Sequence, residues 1–262
     1  MQRSLFIAAT GMEAQKINID VVSNNLANAN TTGFKKSRAD FQELVYQGLK
    51  AAGVTSADGT ESPSGTQIGL GTKLAAVQKM FQQGDFVGTE NPLDIVIEGE
   101  GFFQISMPDG DTAYSRAGTF KLDSSGNIVN TDGYAMEPSV TIPSGALSIT
   151  ISPDGTVSVM TSGSTSATQA GQIELAQFIN PGGLHALGKN LFKETDSSGS
   201  PTTGNPGADG RGTVGQGFIE LSNVNVVEEM VSMIVSQRAY EINSKVLQAS
   251  DEMLRMANNI IR

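Results

Sequence analysis

The residues that could do chemistry are few, and they form no complete catalytic set. His185 is the single histidine of the 262-residue chain, and there is no cysteine. A Ser-His-Asp triad would have to use His185, yet the sequence has no Gly-x-Ser-x-Gly nucleophile elbow. We therefore interpret His185 as a loop or surface residue. The same counts exclude a histidine-rich or thiolate metal site, and no calcium-loop motif is present, so no metal and no cofactor are predicted.

Two other patterns could carry chemistry. Glu98 and Glu100 are separated by one residue, so on a strand they would share a face, and paired carboxylates catalyse glycoside hydrolysis. The neighbouring Gly99 and Gly101 fit a tight strand junction better, so a secreted peptidoglycan hydrolase is kept only as the alternative from a different class. Residues 69–73, Gly-Leu-Gly-Thr-Lys, resemble a phosphate loop faintly but lack its spacing. The chain is predicted not to be an enzyme.

Composition favours an assembly protein. The 17 basic and 27 acidic residues give a net charge of −10, which argues against a nucleic-acid partner. The 30 glycines, the absence of tryptophan and the few aromatics are typical of a β-rich, loop-rich chain. No apolar run approaches the roughly 18 residues of a membrane span. Glu13, Gln15 and Lys16 interrupt the first apolar stretch before a signal-peptide core could form, so we expect neither membrane insertion nor a cleaved signal.

The longest predicted element is a helix over Val226–Arg262, with Asn225 as its N-cap. Apolar residues recur along it in steps of four and three, a period of about 3.5 that favours coiled-coil packing. A second row recurs every seventh residue beside the first, so the apolar face is wider than a two-stranded seam needs. The first row is Val235, Ala239, Ile242, Val246, Ala249, Met253, Met256 and Ile260, and the second is Met233, Tyr240, Leu247, Leu254 and Ile261.

A second amphipathic helix is predicted over residues 1 to about 28. Its small residues Ala8, Ala9 and Gly11 would let another helix approach closely. We expect the two terminal helices to pair as a coiled-coil-like stalk and to leave apolar surface for other subunits; packing inside a single globular domain is the alternative. The residues expected at these interfaces are Leu5, Met12, Ile19, Val22, Leu26, Met233, Val235, Tyr240, Ile242, Val246, Leu247, Met253, Leu254, Met256 and Ile260.

Between the helices the period changes to two. Alternating apolar residues, as in 93–97 and 147–151, and Gly turns at Asp109, Ser125, Asp132 and Asp154 predict a meandering antiparallel β domain. The Gly-, Ser-, Thr- and Pro-rich stretch before it reads as a loop or long hairpin. The predicted fold class is α+β, with segments 1–35 (N-terminal core helix), 36–71 (linker or hairpin), 72–224 (β domain) and 225–262 (C-terminal core helix).

Three separated motifs resemble the bacterial flagellar rod and hook proteins. Residues 24–28 leading into 32–35 resemble the N-terminal motif of that family, residues 92–103 and 114–120 resemble the start of its β domain, and residues 222–243 resemble its C-terminal motif. The resemblance covers essentially the whole chain. The motif residues are Asn24, Asn25, Leu26, Asn28, Gly33, Phe34, Lys35, Asn223, Asn225, Gln237, Arg238, Tyr240 and Asn243.

Within the family, the chain length and the segment from Tyr46 to Gly71 resemble the distal rod subunits, with hook and proximal rod subunits as alternatives; Ala117 stands where an acidic residue is usual. The resemblance implies a helical, torque-transmitting homopolymer with its terminal helices inside and its β domains outside. It implies a basal-body rod spanning the periplasm, and export by the flagellar type III apparatus without a cleaved signal. Further implied partners are proximal rod subunits, hook or hook-junction subunits and the P- and L-ring proteins. The implied brace residues are Tyr46, Pro63, Gly65, Gln67 and Gly69.

Overall fold

Long helices stand at the two ends of the chain, and short strands fill the sequence between them. The computed structural model of the protein describes residues 2–50, 64–162 and 166–260. Helix α1 covers Gln2–Ala27 and helix α2 covers Val226–Ile260. The predicted α+β class is therefore confirmed. Neither helix is long and apolar enough over its described residues to cross a membrane.

The described strands are mostly short, and a single 3-10 turn at Pro181–Gly183 interrupts them. They are β1 Ser37–Glu43, β2 Tyr46–Lys50, β3 Thr66–Gly69, β4 Thr72–Lys79, β5 Phe86–Gly88, β6 Ile95–Glu98, β7 Phe102–Ser106, β8 Thr112–Ser115, β9 Lys121–Leu122, β10 Ile128–Val129, β11 Met136–Glu137, β12 Ala146–Ile151, β13 Thr156–Thr161, β14 Thr168–Gln172, β15 Leu175–Gln177, β16 His185–Gly188, β17 Leu191–Lys193, β18 Thr202–Gly204, β19 Thr213–Gln216 and β20 Phe218–Glu220.

The chain divides into two compact units. The helical unit consists of Met1–Leu26, Ser37–Gln78 and Asn225–Arg262, and the β unit consists of Ala27–Lys36 and Lys79–Val224. In the helical unit, β1 pairs with β4 and β2 pairs antiparallel with β3, with Tyr46 opposite Gly69.

Helix α2 begins at the residue that the sequence marks for it. The Asn225 side-chain oxygen accepts hydrogen bonds from the backbone N–H groups of Val227 (3.1 Å) and Glu228 (3.4 Å). These are two of the N–H groups that have no partner within the helix, so the side chain caps it. The predicted N-cap is confirmed.

The β unit is built on a seven-stranded antiparallel sheet whose main path runs β16-β17-β8-β7-β15-β18, with β11 pairing beside β7. The predicted simple meander is wrong, because β8 pairs with the distant β17 and β7 pairs with the distant β15. The reason lies in β7, where Phe102, Phe103, Gln104 and Ile105 are all buried, so that the strand is covered on both faces. β7 is thus a central strand, and it pairs with the adjacent β8 as well as with the distant β15.

The predicted turns are confirmed, but some strands are buried on both faces where the alternation predicted burial on one. Gly110, Gly126, Gly133 and Gly155 all have positive φ, and each donates its N–H to the carbonyl three residues earlier, as tight turns require. In β6, by contrast, Ile95, Val96 and Ile97 are all buried, whereas alternation predicted one buried face. Leu147 points to solvent because the register of β12 shifts at that residue.

Candidate assembly surfaces

The positions considered for catalysis do not form a site. Gly99 and Gly101 have φ values of 112° and 140°, so they make the tight junction between β6 and β7 that the sequence favoured. Glu98 precedes this junction and Glu100 lies between its two glycines; both are exposed, and Glu100 accepts a hydrogen bond from Gln177 at 3.0 Å. The geometry gives a strand junction with surface carboxylates.

The remaining residues considered for chemistry, His185 and residues 69–73, also lie in positions that form no site. His185 is exposed at the start of β16, where it pairs with Lys193 of β17. Residues 69–73 connect β3 to β4, so no helix N-terminus follows them to hold a phosphate. Over the ranges described above, no group of three or more His, Asp or Glu residues could hold a metal ion.

The side of α2 that meets α1 includes polar residues that hydrogen-bond to α1. Asn18 donates to the Ser236 hydroxyl at 2.7 Å, and Asn25 donates to the Glu229 carboxylate at 3.2 Å. Ser236 is 1% exposed, so these groups are withdrawn from water, and the hydrogen bonds compensate for that burial. The polar contact side is unexpected, because the sequence predicted that an apolar row would meet α1.

The apolar residues of α2 that are exposed form a surface of their own, which we call the outer face. Val235, Ile242 and Met256 are 61%, 60% and 58% exposed, although each is a large apolar side chain. An exposed apolar surface of this extent marks an interaction site in a soluble protein. The outer face comprises Val227, Val231, Ile234, Val235, Ile242, Val246, Met253 and Met256.

The predicted interface residues divide between these two sides. Exposed members are Val235, Tyr240, Ile242, Val246, Met253 and Met256. Half-buried members are Leu5, Met12, Ile19, Leu26, Met233, Leu247 and Leu254, and Val22 is buried. The side chain of Ile260 lies outside the described residues.

Three of the five predicted brace residues, Tyr46, Gln67 and Gly69, lie on the two-stranded ladder of β2 and β3. Tyr46 of β2 packs its ring near Gly69 of β3, since a Cβ on that glycine would sit 3.4 Å from the ring, and the tyrosine hydroxyl donates to Glu43 at 2.6 Å. This hydrogen bond to a carboxylate raises the pKa of Tyr46. Gly65 and Gln67 are exposed, and Pro63 lies outside the described residues.

Apolar side chains beside the ladder are also open to solvent. Val45 is 77% exposed, and Tyr46 and Leu49 are more than half exposed. Together with Phe41, Leu74 and Val77 they give the strands of the helical unit a second apolar surface.

In the β unit, the motif residue Lys35 belongs to a buried charge cluster with Arg116 and Glu220. The Lys35 ammonium donates to Glu220 at 2.5 Å and to the Gln82 carbonyl at 2.7 Å. An Arg116 nitrogen lies 3.8 Å from the second Glu220 oxygen. Burial lowers the pKa of Lys35 and of Arg116, and the charge of Glu220 opposes both shifts. Because all three side chains are almost fully buried, removing one would leave unpaired charge in the interior.

The turn before Lys35 needs its glycine. Gly33 has φ 68°, and a Cβ there would sit 2.6 Å from the backbone nitrogen of Ala117. Phe34 is buried under the Lys79 ammonium, which lies 4.3 Å from the ring centroid. Glycine adopts this positive φ without steric cost, and the close approach excludes any side chain at this position.

Asn223 joins two backbone segments of the same unit. Its oxygen accepts from the Lys36 N–H at 2.8 Å, and its amide donates to the carbonyls of Met80 and Gln82. An asparagine can satisfy donors and acceptors together, which explains this residue type here.

The other motif residues have the following positions. Asn25 is buried and also exchanges hydrogen bonds with the backbone of Ser37, and Asn28 accepts from Thr31. Asn24, Gln237, Arg238 and Tyr240 are exposed, and Leu26 and Asn243 are half-buried. Sequence reasoning missed the roles of Glu220, Glu229, Ser236 and Ser250. For the last three a signal existed, since polar residues recur every seven positions along α2.

Family comparisons cover both units of the chain. The model described as "Flagella basal body rod protein" matches residues 5–35. The model described as "Flagellar hook protein FlgE/F/G D1 domain" matches residues 96–159. The model described as "Flagellar basal body rod FlgEFG protein C-terminal" matches residues 216–260. These are the regions in which the three sequence motifs lie.

Whole-chain relatives extend the similarity to full length. The flagellar basal-body rod protein FlgG of Borreliella burgdorferi is 51% identical over 264 residues, covering 100% of both chains. FlgG of Caulobacter vibrioides is 46% identical and covers 98% of this chain and 99% of its own. FlgG of Bacillus subtilis is 41% identical and covers 100% of both.

Proposed function

We propose, from the premise that this chain belongs to the family of the flagellar basal-body rod protein FlgG, that it polymerises through its helical unit into a stiff helical tube. As a family member it is a structural subunit of the distal rod of the flagellum, and not an enzyme. The observation that carries the polymer is the outer face of α2, whose large apolar side chains are left in solvent by the single chain. Burying one such side chain contributes about 1.5–3 kcal/mol, so covering this face with other copies would drive association.

The terminal helices would form a coiled-coil-like stalk that lines the inside of the tube, with the β unit outside. The four proposed segments are residues 1–35, 36–71, 72–224 and 225–262. Heterologous contacts between copies, repeated without closure, give a filament instead of a ring. Rigidity would follow from a long helix that packs against several neighbours, and transmission of torque would follow from rigidity.

Ordering of the helices would be coupled to polymerisation. The single chain offers α1 and α2 a mainly polar mutual contact and leaves the outer face uncovered, which is too little burial to offset the conformational entropy of ordering two long helices. The test is circular dichroism of the isolated subunit and of its polymer. We expect helix content to rise on polymerisation, and fully formed, protease-resistant helices in the isolated subunit would contradict the proposal.

The segment from Tyr46 to Gly71 would brace neighbouring subunits and keep the tube straight. Its exposed apolar residues Tyr46 and Leu49, together with Val45 directly before it, support this role. In the double variant Val45→Ser/Leu49→Ser, electron microscopy should find tubes that are bent or short. The matched control is Lys50→Ser, which lies beside Leu49 on β2. Straight tubes of normal length from the double variant would contradict the proposed bracing role.

Its partners would be the other axial components, namely proximal rod subunits on one side and hook or hook-junction subunits on the other. The P- and L-ring proteins would surround it where the rod spans the periplasm. Export would use the flagellar type III apparatus without a cleaved signal. Co-purification of intact basal bodies, followed by cross-linking of surface lysines such as Lys189 and Lys193 on the β unit, would identify the neighbours.

A further inference from the structure

A regular series of contacts between α1 and α2 stands out because its members are polar or small. Ser4 and Ser250 hydroxyls lie 3.2 Å apart, Asn18 binds Ser236, and Asn25 binds Glu229. Between the first two of these contacts, a Cβ added to Gly11 would sit 2.8 Å from the side-chain nitrogen of Asn243. We call these four contacts the rungs; they are Ser4–Ser250, Gly11–Asn243, Asn18–Ser236 and Asn25–Glu229.

The rungs repeat with one period on both helices. Residue numbers rise by seven along α1 and fall by seven along α2, so that the two numbers of every rung add to 254. A seven-residue repeat keeps one seam of a helix facing its partner over many turns. The helices are therefore antiparallel and held in one register over about 30 Å of their length.

Apolar residues occupy the positions between rungs in the two outer intervals, whereas Gln15 and Tyr240 occupy them in the middle interval. Ala8 and Val22 of α1 are buried, and Met233 and Leu247 of α2 are half-buried. In its two outer intervals the seam thus alternates polar and apolar positions, unlike the outer face, which is largely apolar. Polar groups in a helical seam reduce stability and specify register, because a shifted pairing leaves them buried without partners.

We propose that the four rungs are the residues that determine the register of α1 against α2, and thereby which side of α2 is left for other copies of this chain. The inference deepens the proposed function and rests on it only for the role of the outer face. A shift by three or four residues would set polar groups against Ala8, Val22, Met233 and Leu247. Each buried polar group would then lose its hydrogen-bond partner.

A shift by a full heptad is also excluded, because the rungs are not interchangeable. Sliding α2 by seven residues so that Ala257 meets Ser4 would set Ser250 against Gly11 and Asn243 against Asn18. The one rung that matches a long side chain to a residue with no side chain would be lost. Gly11 leaves room that Asn243 fills, so the sizes as well as the hydrogen bonds specify one register.

The absence of cysteine from the sequence allows a direct test with engineered disulfides. The pair Ser4→Cys/Ser250→Cys reports the observed register, since the two hydroxyls lie 3.2 Å apart. The pair Ser4→Cys/Ala257→Cys reports a one-heptad slip. In the observed register its α2 position is about 10 Å further along the helix, beyond the reach of a disulfide. Both pairs are oxidised in the full chain, as polymer and as isolated subunit, and products are separated on denaturing gels.

We expect the first pair to form an intramolecular disulfide and the second to stay reduced. The rungs are then weakened with Asn18→Leu, Glu229→Leu and Ser236→Ala, which remove the hydrogen bonds of two rungs and keep the seam filled. The ratio of in-register to slipped disulfide should fall on the order of tenfold. An unchanged ratio, or equal yields of both pairs in the unaltered seam, would overturn the proposal.

Failure of the proposed function has a different signature. Oxidation traps the paired helices even if they are paired only part of the time, so the isolated subunit reports register whether or not a polymer forms. Sedimentation of the same samples measures polymerisation separately. A chain that cross-links in register but does not sediment contradicts the polymer and leaves the register proposal standing, whereas slipped or absent disulfides in sedimenting polymer contradict the register proposal alone.

Discussion

The two units of this chain differ in where they place apolar and polar side chains. The β unit buries its apolar residues in its own core, where Phe103, Ile105 and Leu175 are fully covered. The helical unit leaves the outer face of α2 in solvent and puts serine and asparagine into its inner contact. A unit with its own core can fold alone, whereas one whose core residues face outward needs other molecules. We therefore expect the β unit to be folded before assembly and the helical unit to be completed by assembly.

The largest effect should come from the outer face. The variant Val235→Ser/Ile242→Ser removes two large exposed apolar side chains, and at about 1.5–3 kcal/mol each the concentration needed for polymerisation should rise at least a hundredfold. Sedimentation across a concentration series measures it. The matched control is Leu147→Ser/Ile179→Ser in the β unit, whose residues are 71% and 91% exposed, and it should leave polymerisation unchanged. If both variants raised the concentration needed for polymerisation equally, the proposed difference between the two units would be wrong.

The buried charge cluster should give the largest change in the stability of the β unit. Glu220→Gln leaves Lys35 and Arg116 without their carboxylate, and breaking a buried pair in this way costs about 3–5 kcal/mol. The melting temperature should fall by about 10 °C, as measured by far-ultraviolet circular dichroism. Glu100→Gln, at an exposed carboxylate, is the control and should change little. A melting temperature equal to that of the unaltered protein would mean that the cluster is not stabilising.

A smaller effect is expected where α2 begins. Asn225→Ala removes the side-chain oxygen that accepts from Val227 and Glu228, at a cost of about 1 kcal/mol. The polymer should melt at a lower temperature while the β-unit transition stays in place. Asn225→Asp keeps an acceptor and should restore the melting temperature. If the β-unit transition moved to a lower temperature and the polymer transition did not, the prediction would be wrong.

The smallest effect is a dependence on alkaline pH confined to the β unit. Burial raises the pKa of Tyr114 to about 12, so the folded unit holds the phenol protonated. Its contribution to stability is complete below pH 10 and is lost between about pH 10 and 12, because the unfolded chain releases the proton at about 10. Between pH 9 and 11 the unfolding free energy should fall by about 1 kcal/mol more than in Tyr114→Phe. Identical pH profiles for the two proteins in urea titrations would contradict this.

Local chemistry made much of the fold predictable, and pairings over long sequence distances did not follow from it. The Asn225 cap and the turn at Asp154–Gly155 depend on a few neighbouring residues, so the sequence indicates them directly. Lys35 and Glu220 are 185 residues apart, and nothing in either neighbourhood marks the pair. The order of strands in the sheet fails to follow from the sequence for the same reason, since β8 and β17 meet only in the folded unit.

The inner contact of α2 was missed for a different reason. A search for apolar periodicity finds two apolar rows on α2, of which one is expected to pair with residues 1–28 and the other with neighbouring subunits, and it passes over polar repeats. The polar repeat through Ser236 and Ser250 has the same regularity and marks the side that α1 covers. We therefore expect the apolar row of α2 to be where other subunits pack, and the polar row to mark the contact with α1.

Hydrogen exchange of the isolated subunit and of the polymer, followed by mass spectrometry, tests the contrast between the units most directly. Amides of β7 and β15 should be protected in both states, because their core is internal. Amides of α1 and α2 should exchange rapidly in the subunit and become protected only in the polymer. Helices as strongly protected in the subunit as the sheet is would contradict the account, since the helical unit would then be complete without other copies.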